Sequence, residues 1–116
     1  MPAPTRSDRA FPGEFEQMVL LAILRLREDA YGMTLRQELE ERAGRSVSRG
    51  ALYRTLDRMA GKKYITWSVE EPTAERGGHH RRRFRVTPLG MASLRASRGA
   101  LMRLWEGLEL VLEERA

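Results

Sequence analysis

The stretch RGGHHRRRFRV, residues 76–86, gathers seven ionisable basic side chains, two glycines and one aromatic ring. Two chemistries are open to it. Adjacent histidines could ligate a metal, but neighbours on a strand point to opposite faces. With no cysteine in the chain and no acidic cluster nearby, no ligand set is completed, and no metal site is expected. The other chemistry is contact with a polyanion. Gly77 and Gly78 let a backbone approach a groove closely. Arg76, Arg81 and Arg82 can neutralise phosphates or enter a narrow minor groove. His79 and His80 add donors and charge only at mildly acid pH. Phe84 and Val86 are expected to face a core.

A second basic group lies upstream. The guanidinium forks of Arg49, Arg54 and Arg58 match guanine edges or phosphates, and Tyr53 can donate to a phosphate or pack on a sugar. Asp57 could hold Arg54 or Arg58 in position, or accept from a cytosine amino group. A net charge of +5 and a pI near 10.4 agree with a polyanionic partner. No nucleophile elbow, phosphate-cradling glycine loop or histidine–carboxylate metal motif occurs, so neither catalysis nor a cofactor is expected.

The elements that would present these groups follow from periodicity. Phe15, Met18, Val19, Ala22, Ile23 and Leu26 recur at helical spacing, while Leu20, Leu21 and Leu24 fill most of the opposite side. A helix apolar nearly all round needs cover on two faces, more than a small domain supplies alone. Phe15, Met18 and Leu21 are therefore expected at a seam with a second copy. Asp29 is a candidate N-cap for a second helix through Arg42, closed by Gly44. Ser46 or Ser48 caps a third, with Leu52, Leu56 and Met59 inward, and Gly61 closes it. Residues 64–71 and 82–87 alternate as the strands of a β-hairpin, with 72–81 as its tip. Thr87 and Pro88 open one last helix to the C-terminus. Along it Leu94, Leu101, Leu104, Leu108 and Val111 follow a repeat of about 3.5 residues, with Trp105 and Leu112 beside them. Gly99 and Gly107 each weaken that helix by roughly 1 kcal/mol, so packing on a partner must hold it. Trp105 is then a dimer anchor or part of a flat-ligand site between subunits.

This order describes a mainly α fold with a β-hairpin: a winged helix-turn-helix plus a C-terminal dimerisation helix. Residues 1–13 read as a polar tail, 14–88 as the DNA-binding domain and 89–116 as the dimerisation helix. The third helix would enter a major groove of double-stranded DNA and the hairpin would be the wing. A twofold homodimer would set two such helices about 34–36 Å apart, one turn of duplex, or a multiple of it, and so read an inverted repeat. No apolar run reaches the roughly 18 residues that span a bilayer, and a cytoplasmic setting without membrane contact is expected. The competing reading is a winged-helix module for protein interaction or RNA binding without operator specificity.

The segments YGMTLRQELEE, SRGALYRTLDRMAGKKYI and ERGGHHRRRFRVTPLG, with the trailing helix, resemble the PadR family of bacterial transcriptional regulators. The likeness runs from about Phe15 to the C-terminus and is to the compact branch with a single C-terminal helix. It implies a homodimer, a palindromic promoter element, and repression relieved by a small molecule. It carries DNA contact onto Ser48, Arg49, Tyr53, Arg54, Arg58, Gly77, Gly78, Arg81 and Arg82. Some relatives bind planar aromatic compounds between their last helices, which would put an effector near Trp105.

Overall fold

The structure is a computed structural model that describes residues 11–71 and 80–115. Helix α1, Glu14–Leu26, buries Val19, Leu20 and Ile23. Leu20 thus belongs to the core rather than to the outer side, and Leu21, 51% exposed, carries the outer face with Leu24. A single 3₁₀ turn, Arg27–Asp29, leads to helix α2, Gly32–Ala43.

Asp29 does not cap α2. The N-cap is Tyr31, whose N–H is held by the Thr34 hydroxyl at 2.9 Å while that hydroxyl donates to the Asp29 carbonyl. The cause is tertiary. Ala30 and Tyr31 run beside the hairpin, with the Phe84 N–H donating to the Ala30 carbonyl at 2.9 Å and Tyr31 bridging Arg83. That pairing holds Ala30 and Tyr31 outside the helical conformation, so the helix starts only after Tyr31, whose carbonyl accepts from the Leu35 N–H at 2.8 Å.

Helix α2 stops at Gly44, φ 63°, and Arg36 Nε donates to the Val47 carbonyl at 3.0 Å across the turn that follows. Ser48 then caps helix α3, Arg49–Gly61, accepting from the Ala51 N–H at 3.1 Å. Leu52, Leu56 and Met59 are buried as their spacing requires. Strands β1, Ile65–Glu70, and β2, Arg81–Val86, pair antiparallel with Ile65 opposite Val86, Trp67 opposite Phe84 and Val69 opposite Arg82. Phe84 and Ile65 close the core formed by the three preceding helices, and Val86 packs against it.

Thr87 accepts from the Gly90 N–H at 3.0 Å with Pro88 in the first turn, opening helix α4, Pro88–Trp105. The C-terminal region is two helices, not one. The chain breaks at Gly107, φ 84°, before helix α5, Glu109–Arg115. Glycine takes that left-handed angle at no steric cost, and the interruption costs less where no core holds the helix straight. Among the described residues no helix is long and apolar enough to cross a membrane.

Candidate nucleic-acid interface

The inward stripe of α3 fixes what its other side presents. With Leu52, Leu56 and Met59 in the core, Arg49, Tyr53 and Asp57 stand at four-residue steps along one outer edge. They form one wall of an open cleft of about 610 Å³, and His80, Arg81 and Arg82 at the start of the hairpin's second strand form the other. Tyr53 is held there by an edge-to-face contact with Phe84, centroids 6.2 Å apart at 64°. It also lies over the first residue of α2. A Cβ on Gly32 would sit 2.4 Å from the Tyr53 hydroxyl, so only glycine permits this approach. A second hollow of about 500 Å³ opens between the start of α2, Arg49 and Arg81.

The cations fall into two groups. Arg49 stacks 5.4 Å from the Tyr53 ring centre and, like Arg54, has no ion pair among the described residues. The arginines of β2 are engaged. Arg82 meets Asp57 Oδ1 at 3.1 Å and lies 4.5 Å from the Trp67 ring centre. Arg81 covers the Tyr31 ring at 3.6 Å and pairs with Glu70 at 3.3 Å. Arg83 bridges Glu70, at 3.1 Å, and Glu28, which Arg85 also meets at 3.4 Å. The Tyr31 hydroxyl donates to Glu70 at 3.0 Å. That bond, with help from Arg81 and Arg83, holds the Glu70 carboxyl below its usual range. Burial and the same bond push the Tyr31 phenol up.

At the far end of α3, Arg58 Nε and Lys62 Nζ meet Glu16 of α1 at 3.3 and 3.0 Å. Glu16 is 5% exposed and also accepts from the Gly13 N–H at 3.3 Å. Burial works to raise its carboxyl, but the hydrogen bonds and charge of Lys62, with Arg58, lower it on balance.

Of the residues expected to touch nucleic acid, Arg49, Tyr53, Arg81 and Arg82 line the cleft. Arg54 is exposed on α3, Ser48 caps it, and Arg58 is turned to Glu16. Arg76, Gly77, Gly78 and His79 lie outside the described residues. Asp57 takes Arg82 rather than Arg54 or Arg58, a pairing that no spacing along α3 could have suggested. The roles of Glu16, Glu28, Tyr31 and Glu70 were also missed, because each partner lies far away in sequence. Of the expected seam, Phe15 and Met18 are half-buried against the chain's own core, and Phe15 lies under the Arg45 guanidinium. Leu101, Leu104, Trp105, Leu108, Val111 and Leu112 are exposed. Among the described residues no group of three histidines or carboxylates could hold a metal.

Three helices, a capped third helix and an antiparallel hairpin beside it define a winged helix-turn-helix. The chain belongs to the transcriptional regulator PadR-like family, whose model matches residues 20–96. That is a family of transcriptional regulators, not of enzymes. The fold is similar to that of a PadR-like transcription factor from Bacteroides fragilis, at 26% identity and TM-score 0.59, over 88% of this chain and 89% of that one. A PadR-like transcriptional regulator from Bacillus cereus shares 23% identity over 84% and 90% of the two chains, with TM-score 0.66. The Bacillus subtilis PadR solved in complex with operator DNA shares 15% over 71% and 46%, with TM-score 0.57. No curated protein matches the chain.

Proposed function

We propose that this regulator is a DNA-binding repressor that acts as a homodimer on an inverted-repeat promoter site, in the cytoplasm where the DNA is. The carrying observation is the cleft between α3 and the hairpin, with Arg49 lining it, Arg54 exposed on the same helix, and neither in an ion pair among the described residues. Residues 14–88 supply recognition. Arg49, Tyr53 and Arg54, with Ser48 at the head of the helix, face the major groove, and Arg81 with the Arg76–His79 tip follows the backbone as the wing. Arg58 and Arg82 reach the duplex only by leaving Glu16 and Asp57. The Bacillus subtilis PadR, which shares the fold, was solved with operator DNA, and this favours DNA over RNA or protein as the partner.

Residues 89–116 supply the dimer. Leu101, Leu104, Trp105, Leu108, Val111 and Leu112, exposed in the single chain, are covered by their copies, with Leu21 beside them. A planar small molecule that relieves repression fits best against Trp105, the one aromatic ring of that arm.

Selection of bound duplexes from a random pool tests the reading. An enriched inverted repeat, bound more tightly than random duplex and RNA at the same salt, is the expected result. Equal binding to RNA and to every duplex would restore the interaction-module reading.

A further inference from the structure

We propose that Arg82 is a positioning residue, anchored by Asp57, that sets the hairpin against the recognition helix instead of contacting a phosphate. The proposal rests on the DNA-binding reading. The register puts Arg82 opposite Val69, on the strand face that carries Phe84 and Trp67 and turns toward α3. Its side chain is 34% exposed. One edge of the guanidinium meets Asp57 at 3.1 Å, and its centre lies 4.5 Å from the Trp67 ring and 5.4 Å from the Tyr53 ring. A planar guanidinium can stack and fork at once, which an ammonium cannot.

A phosphate contact would forfeit the carboxylate and both rings, and would bring the phosphate beside Asp57. An exposed acid on the outer face of the recognition helix repels a polyanion, so its presence is better explained by what it holds. The place in the fold supplies the leverage. Phe84 fixes the middle of the strand pair in the core, and Arg82 is the next residue on that face toward the start of β2. It therefore ties this face of the strand pair to α3 beside Arg49 and Tyr53.

The test uses the full chain, the duplex recovered by selection, and a random duplex across a range of salt. Arg82→Ala and Asp57→Asn should each lower the preference for the selected duplex roughly tenfold. The salt slope on random duplex should stay as it is. The double variant should be no worse than Arg82→Ala, and Arg82→Lys should not restore the preference. If instead Arg82→Ala lowers the slope by about 0.9, Arg82→Lys restores it and Asp57→Asn tightens binding, Arg82 is a phosphate contact and the proposal is overturned. A separate readout covers failure of the DNA reading itself, which would show as no duplex preference in the unaltered protein. In a Trp105→Phe background, Trp67 emission should shift alike in Arg82→Ala and Asp57→Asn. Unchanged emission in both overturns the proposal whatever the chain binds.

Discussion

Glu16 shows how much one buried carboxylate can organise. Removing it from water is unfavourable, and Lys62 at 3.0 Å, Arg58 at 3.3 Å and the Gly13 N–H at 3.3 Å offset that cost. Glu16→Gln should cost about 1–2 kcal/mol, toward the low end because both cations stay half-exposed and solvated. The sign with pH follows from the lowered carboxyl. The contribution is fully present above the ordinary carboxylate range and is lost as pH falls through the folded value. Urea unfolding across acid pH should therefore show a shallower acid loss in Glu16→Gln. Identical acid limbs would remove Glu16 from the account. Arg54 has no ion pair among the described residues, so Arg54→Ala should lose about 1–3 kcal/mol on the selected duplex and relax preference at one base pair. Equal losses on random duplex would reduce Arg54 to a phosphate contact.

At the scale of elements, the hairpin is held from three sides besides the Arg82–Asp57 contact with α3. Phe84 enters the core, Ala30 and Tyr31 extend the sheet along β2, and Glu70 gathers Tyr31, Arg81 and Arg83. The Tyr31 hydroxyl is the neutral donor of that set, and Glu70 has charged donors besides. Tyr31→Phe should accordingly leave the fold intact while speeding amide exchange at Phe84, whose N–H bonds Ala30. Unchanged exchange there would mean the backbone pairing alone secures the hairpin. The break between α4 and α5 makes a different demand. Alanine at position 107 must either adopt φ 84° or straighten the arm. The first costs about 1–2 kcal/mol. Calorimetry of Gly107→Ala should show a lower melting temperature, whereas a higher one with more helix would mean that the bend is not part of the proposed dimer.

At the scale of the molecule, the arm is exposed along its length. Every residue from 101 to 113 is exposed, Leu104 to 73%. The radius of gyration is 16.9 Å, against about 13 Å for a compact chain of this length. So long an apolar surface on a projecting helix is the kind that a second copy buries. Leu101→Asp with Leu108→Asp would put unpaired charge into that seam at a cost of several kcal/mol. Sedimentation should then show monomer, with operator binding lost although no cleft residue has changed. A well-folded monomer of the unaltered protein at micromolar concentration would overturn the dimer.

Residues near in sequence settled much of this by themselves. Apolar spacing gave the buried stripe of α3, Ser46 or Ser48 and Thr87 with Pro88 marked helix starts, of which the structure takes Ser48 for α3, and alternation marked the hairpin with Phe84 inward. Such features depend on neighbours within one helical turn or on the two faces of a strand, so composition and spacing suffice. The start of α2 was not legible, because pairing of Ala30 and Tyr31 with β2 overrode the Asp29 cap. Nor were the partners of Asp57, Arg58, Arg82 and Tyr31, which come from other elements. A charge can pair with any opposite charge within reach. Only the packing of helices and hairpin decides which carboxylate each arginine meets, and therefore which arginines are left for another molecule.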